Sequence, residues 1–223
     1  MRIAIISDLH LSPKGNLDIF QHNENTFVDF LKDLENSHDK IILLGDIVET
    51  LMPETYADSK TSFSNIWNER YKITNRFDSK QYTYILGNHD LIGSNIDKII
   101  IEYNNKKVIF IHGHQFDMSA KYANPLVWIG GYMLKKGYSQ YNTLAQAENI
   151  RYWRAPKFEK SAVQFAKKYN ADIIVTGHSH VQKKKMIDNV MFLNTGFCAY
   201  KNINYISMDL KNENYFLGTR NYY

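Results

Sequence analysis

Short aliphatic runs, each closed by a polar cluster, recur along the chain. Residues 2–7 form the first and end at Asp8-Leu9-His10. Residues 40–44 end at Gly45-Asp46, residues 82–86 at Gly87-Asn88-His89-Asp90, and residues 172–176 at Gly177-His178-Ser179-His180. Residues 99–103 and 107–111 flank Asn104-Asn105, which predicts a hairpin whose second strand runs into His112-Gly113-His114. Runs of this length, rich in Ile and Val and bounded by turn formers, predict buried strands. Further strands are predicted over residues 184–187, 190–193, 205–210 and 215–218. Phe27, Leu31 and Leu34 share one helical face and predict a helix over 24–36. A second helix is predicted over 63–76, and Pro156, a favourable first helical residue, opens a third that runs to about residue 169.

Two stretches interrupt this rhythm. Residues 50–80 are polar and aromatic, and residues 116–154 are rich in Tyr, Trp, Met and Leu. No repeat or low-complexity linker separates them from the strands, so the expected organisation is one α/β domain over 1–223 with a cap or lid inserted at 116–154. In open α/β sheets ligands gather beyond the carboxyl ends of strands, which places the polar clusters on one rim.

Composition narrows the class. The 223 residues are 44% apolar and 22% charged, ordinary values for a globular chain and unlike those of a disordered, collagenous or disulfide-built one. Aromatic content is high at 14%, and the net charge of +4 favours anionic partners. The single cysteine, Cys198, allows no intrachain disulfide and fits a reducing, cytoplasmic setting. The apolar run after Met1 is too short for a signal peptide, and the longest near-apolar stretch, 126–134, is far short of the ~20 residues of a membrane span.

Six of the eight histidines (His10, His89, His112, His114, His178 and His180) lie in the strand-end clusters, beside Asp8, Asp46 and Asn88. Any one of them alone is a commonplace structural residue. Together they amount to more buried polar groups than packing explains without a bound partner. Imidazole, carboxylate and amide donors without thiolate suit Mn, Fe, Zn, Ni or Co, and the donors are too many for one ion. Two ions sharing a carboxylate would form the clamp used in phosphoester hydrolysis.

Asp8-x-His10, Gly45-Asp46, Gly87-Asn88-His89-Asp90, His112 and Gly177-His178-x-His180, in this order over nearly the whole chain, resemble the calcineurin-like metallophosphoesterases. The resemblance implies a two-sheet β-sandwich flanked by helices. It implies that Asp8, His10, Asp46 and His180 hold one divalent metal and that Asp46, Asn88, His112 and His178 hold the other, with Asp46 bridging. Mn is the first expectation because the family's O/N donor sets commonly accept it. His89 would face the scissile phosphate and protonate the leaving oxygen, Asp90 would orient His89, and a metal-bound hydroxide would attack. His114 is expected beside a ligand or at the substrate phosphate, Asp117 as a brace of His112 or His114, and the turn Asn194-Thr195-Gly196 as support for the rim.

Protein Ser/Thr phosphatases of this superfamily continue Gly-Asp with x-x-Asp-Arg-Gly and carry Gly-Asn-His-Glu; Glu49-Thr50 and Asp90 depart from both. Glu49, the string from His112 to Asp117 and the insertion after it are similar to the UDP-2,3-diacylglucosamine diphosphatase branch, which hydrolyses a pyrophosphate under a helical lid that receives acyl chains. Those enzymes carry Arg where His89 stands and Asp where His114 stands, so the substrate class stays at a small nucleotide- or lipid-linked phosphoester or pyrophosphate. Arg151 and Arg154 are candidates for a second phosphate, and Lys183-Lys184-Lys185 for a phosphate or an anionic lipid surface, a peripheral membrane contact. The competing readings are a nuclease or cyclic-nucleotide phosphodiesterase, which would want a basic track interleaved with stacking aromatics, and a scaffold that has lost catalysis.

Overall fold

A computed structural model of the chain describes residues 1–15, 18–51, 59–117 and 143–221, with side chains in the last stretch from 155 to 220. Its strands are β1 (Arg2–Ile6), β2 (Lys40–Leu44), β3 (Tyr82–Ile85), β4 (Lys98–Tyr103), β5 (Lys106–Ile111), β6 (Ile173–Thr176), β7 (Lys183–Ile187), β8 (Val190–Asn194), β9 (Asn202–Asp209) and β10 (Asn214–Asn221). They pair into two five-stranded sheets, ordered β10-β9-β1-β2-β3 and β4-β5-β6-β8-β7. β1, β2 and β3 run parallel in the first sheet, as do β5, β6 and β8 in the second.

The alternation of side chains along each strand builds the layers. Ile3, Ile5, Ile42 and Leu44 of the first sheet meet Val108, Phe110, Val175 and Leu193 of the second in a shared apolar layer. The opposite face of the first sheet, with Ala4, Ile6, Ile41 and Leu43, is covered by helices α1 (Glu24–Ser37), α2 (Ser59–Glu69) and α3 (Tyr71–Phe77). Ile109, Ile111, Ile174 and Phe192 on the outer face of the second sheet pack on Phe158, Ala162, Val163 and Ala166 of helix α4 (Thr143–Lys168). Two sheets with flanking helices are the architecture expected from the sequence.

Two helix boundaries differ from expectation. The helix predicted over 63–76 is two helices, broken at Arg70, whose backbone (φ −94°, ψ 25°) is not helical. The buried guanidinium turns inward, pairing with Asp18 at 2.6 Å and Glu24 at 3.2 Å and donating from Nε to the Ser12 carbonyl at 2.9 Å. Satisfying that charge outweighs one turn of helix continuity. Pro156 does not begin its helix: it lies inside α4, which starts at Thr143. The ring removes one backbone hydrogen bond, a loss that the packing of Phe158 and Val163 offsets. Residues 118–142 of the expected cap lie outside the described residues, and 143–154 are the first turns of α4.

Candidate metal centre

The parallel strands carry the candidate ligands to one rim. β1 runs into Asp8 and His10, β2 into Asp46, β3 into Asn88 and His89, β5 into His112, and β6 into His178 and His180. Asp8, His10, Asp46, His178 and His180 adopt left-handed φ values of 53°, 47°, 53°, 62° and 58°, a region that non-glycine residues seldom occupy. Such strain persists where the surroundings over-determine it. Here the Asp8 and His10 amides donate to the Gly45 and Asp46 carbonyls, each at 3.0 Å, and the Gly177 amide donates to the His112 carbonyl at 2.9 Å. Close approach fixes two glycines: a Cβ on Gly87 would lie 2.1 Å from Asp46 Oδ1, and one on Gly177 2.5 Å from Ser7 Oγ.

The donor atoms of Asp8, His10 and His180 lie within 4.8 Å of one another, as do those of Asp46, His112 and His178. Asp8 Oδ1, Asn88 Oδ1, His112 Nε2 and His114 Nδ1 are buried without a hydrogen-bond partner. Two of these are only 3.1 Å from a neighbour, Asp8 Oδ1 from His180 Nε2 and His112 Nε2 from Asp46 Oδ2, yet neither pair is aligned as a hydrogen bond. Ligands ~2.1 Å from one ion and at right angles about it are ~3 Å apart, so the spacing is that of a coordination shell. Buried orphans of this kind cost about 1–3 kcal/mol each unless something meets them. The donor set fits divalent cations.

The outer bonds aim the inner atoms. His112 Nδ1–H donates to the Leu44 carbonyl at 2.8 Å, which leaves Nε2 as the free lone pair. Asp8 Oδ2 accepts from the Ser7 hydroxyl and from the His178 amide at 3.1 Å, and Ser7 Oγ lies 2.5 Å from Thr195 Oγ1. Glu49 Oε2 accepts from His10 Nδ1 at 3.0 Å and from His89 Nδ1 at 2.7 Å, while its Oε1 accepts from the Leu51 amide at 2.8 Å.

The charges are mutually arranged. Burial opposes ionisation of Asp8 and Asp46, but His180 beside the first and His112 beside the second hold both carboxyls well below the usual range. Burial also opposes a charged His112, and Asp46 and Asp8 outweigh it, raising that imidazole to about 9. A divalent cation held by His112 Nε2 would take the place of the proton that Asp46 and Asp8 favour on that ring.

The calcineurin-like phosphoesterase family model matches residues 1–182. The chain belongs to the calcineurin-like phosphoesterase family. Over 124 residues this calcineurin-like chain is 24% identical to a probable metallophosphoesterase of Mycoplasma pneumoniae, a match covering 55% of each, so it spans about half the length of that relative. Among solved structures it resembles a predicted phosphoesterase of Streptococcus pneumoniae (TM-score 0.50, 16% identity, 99% of this chain and 88% of that one). It also resembles YfcE, a phosphoesterase from E. coli (TM-score 0.50, 11% identity, 99% of both chains). At these identities the likeness is one of fold.

Two expected contacts of this calcineurin-like chain, those of Asp90 and Asp117, are corrected. Asp90 does not serve as the carboxylate on the His89 ring. Its oxygens accept from the Gly87 amide at 2.7 Å, the Ile47 amide at 2.6 Å, the Asp46 amide at 3.2 Å and the Tyr84 hydroxyl, locking the Asp46 and His89 loops together. Glu49 takes the place assigned to Asp90, its Oε2 meeting the His89 ring at 2.7 Å. Asp117 faces His178, with Oδ2 3.5 Å from Nε2, where a brace of His112 or His114 was expected. Lys183 and Lys185 turn to the buried Glu159, at 2.5 and 3.6 Å, and Lys184 donates to the Tyr215 carbonyl at 2.8 Å, so these ammonium groups are engaged within the fold.

The remaining candidates divide. The His114 ring lies 5.6 Å from that of His112 and 6.5 Å from that of His178, outside the ligand clusters found among the described residues, and burial with those two neighbours lowers it to about 4. The side chains of Arg151 and Arg154 lie outside the described residues. Asn194 Nδ2 donates to the Gly177 carbonyl at 2.6 Å, so the Asn194-Thr195-Gly196 turn does support the rim. The pairing of Glu49 with both histidines went unread in the sequence, although its position three residues after Asp46 was the available signal.

Proposed function

We propose that the protein is a metal-dependent hydrolase of phosphodiester or pyrophosphate bonds in small nucleotide- or lipid-linked substrates. The observation that carries this reading is that three separate strands deliver Asp8 Oδ1, Asn88 Oδ1 and His112 Nε2 to one rim, each buried without an aligned hydrogen bond. Asp8, His10, Asp46 and His180 would hold one cation and Asp46, Asn88, His112 and His178 the other. When bound, such a pair neutralises phosphoryl oxygens and makes an activated water available near neutral pH.

The side chains of this chain do the rest. Asp46 Oδ2 lies 3.1 Å from His112 Nε2 and 4.0 Å from His89 Nε2, and Asp46 Oδ1 accepts from the His89 amide at 2.9 Å. His89 is held through Nδ1 by Glu49, so a proton delivered to a leaving oxygen comes from Nε2. The Glu49 carboxylate, kept ionised against its burial by His89 and His10, stabilises the protonated ring. The lipid-linked part of the reading rests on the resemblance of Glu49 and the His112–Asp117 string to the diacylglucosamine diphosphatase branch, and Mn is the cation of first choice on the donor chemistry.

The test compares bis-p-nitrophenyl phosphate, p-nitrophenyl phosphate, UDP-sugar pyrophosphates and single-stranded DNA and RNA, with chelated protein and after Mn addition. Hydrolysis of the small diester or pyrophosphate, restored by Mn, is expected. Equal cleavage of the polymers would favour the nuclease reading, and no turnover with any divalent cation would return the protein to a scaffold.

A further inference from the structure

We infer that β10 is the docking edge for a second copy of this chain, paired antiparallel so that the first sheet continues from one molecule into the next. The two sheets end in β10 and β3 and in β4 and β7. An open edge is a template for another strand unless something blunts it. Three of these edges are blunted. β3 has only four residues, and the Ser94 hydroxyl donates to its Tyr84 carbonyl at 2.7 Å. β7 carries Lys183, Lys184 and Lys185. β4 sets Lys98 and Glu102 on either side of Ile100 on one face. β10 has none of these devices. It is eight residues long and holds no lysine and no proline, and its pairing with β9 runs without a bulge from Asn214 to Asn221.

The register shows which backbone groups are open. The Leu210 amide donates to the Met1 carbonyl at 3.0 Å, so the even-numbered residues of β9 turn to β1 and the odd-numbered ones to β10. Opposite the odd-numbered residues stand Asn214, Phe216, Gly218 and Arg220. The amides and carbonyls of Tyr215, Leu217 and Thr219 therefore point away from the sheet, and the Tyr215 carbonyl accordingly accepts from Lys184 Nζ at 2.8 Å. No strand among the described residues takes up this side. A second β10 does so with its own sequence. With Leu217 opposite Thr219 of the second copy, Gly218, whose missing side chain leaves room for the Tyr205 ring, meets Gly218 of that copy on the two-fold axis. The same register sets Phe216, 56% exposed, directly across from Arg220 of the second copy. That guanidinium, beside Asp33 at 2.8 Å, then lies over the ring, and the symmetry repeats the contact. The strand is its own complement in backbone, ring and charge, which favours a second copy over a foreign segment.

The test reads mass and amide exchange together. The full chain is followed from micromolar to millimolar concentration by sedimentation, with amide hydrogen exchange resolved by 15N–1H correlation. A dimer is expected at high concentration, in which the Leu217 and Thr219 amides slow at least about 10-fold, while those of Phe216 and Gly218, bonded to β9, are slow throughout. Phe216→Lys should weaken association at least about 10-fold. Thr219→Pro removes an outward N–H, leaves the bonds to β9 whole, and should abolish association. A monomer at every concentration overturns the inference: with fast Leu217 and Thr219 amides the edge is simply open, and with slow ones a segment of the same chain covers it. A dimer in which those two amides stay fast, or one that both variants keep, puts the interface elsewhere and overturns it as well. The exchange pattern of the unsubstituted chain decides the matter even where a variant fails to fold.

Discussion

At the scale of single residues, the rim is marked by buried polar atoms of Asp8, Asn88, His112 and His114 that make no hydrogen bond. His89 and Asp46 make the sharpest pair of expectations because they fail differently. His89→Ala removes a ring that stands outside the two cation groups, so bound Mn measured by elemental analysis should stay at the unsubstituted level while turnover of bis-p-nitrophenyl phosphate falls at least about 100-fold. Unchanged turnover would remove His89 from the chemistry. Asp46→Ala takes a ligand from both proposed sites. It should lose the rise in Tm that Mn gives the unsubstituted protein, since a ligand that binds only the folded chain stabilises it in proportion to its affinity. Persistence of that rise would mean that Asp46 does not bridge.

At the scale of elements, α1 shows what local sequence secures. Asn23 caps it by accepting from the Asn25 and Thr26 amides at 3.0 and 3.2 Å, and Phe27, Phe30, Leu31 and Leu34 form its buried stripe. The break between α2 and α3 has the opposite origin, in one buried charge. Arg70→Met keeps the volume and takes the guanidinium from Asp18 and Glu24, leaving Glu24 with Lys14 at 3.1 Å and Asp18 with the Ser12 hydroxyl at 3.1 Å. Both carboxylates retain some access to water, so the expected loss of stability is about 3 kcal/mol, read as a lowered urea midpoint at pH 7. A loss under ~1 kcal/mol would show that the helix break is set by something other than this charge. The edge strand β7 carries Lys183, Lys184 and Lys185, which meet Glu159 and Tyr215 while discouraging further strand pairing.

At the scale of the whole molecule, the two sheets share one apolar layer and one rim, so global stability and cage geometry are linked. No helix among the described residues is long and apolar enough to cross a membrane. Stability should also depend on acidity through a group outside the ligand clusters. His22 lies buried between the rings of Phe20 and Phe27, and burial lowers it from 6.5 to about 4. Between those values the unfolded chain binds a proton that the folded chain does not. Stability is therefore full above about pH 6.5 and declines as pH falls toward 4. His22→Phe should shrink the difference in unfolding free energy between pH 7 and pH 5 by about 1–2 kcal/mol. An unaltered difference would assign the acid sensitivity to other groups.

The sequence by itself determined which runs become strands and the identity of the seven candidate ligands, whereas the order of strands within each sheet came only with the tertiary structure. Unbroken aliphatic runs bury both faces of a strand, and whatever polar residues close them must emerge at a strand end. It also determined the family, because five short motifs in order are far more specific than any one. It did not determine which carboxylate meets which imidazole. Asp90 follows His89 directly, and sequence proximity made it the natural partner, yet only the packing of the Asp46 and His89 loops shows that Glu49 reaches the ring and Asp90 reaches the backbone. Hydrogen bonds form over about 3 Å, and that distance between residues 40 positions apart is fixed by how strands pair and turns fold. For the same reason, Arg70 reads as an ordinary helical residue until the loop bearing Asp18 folds over it.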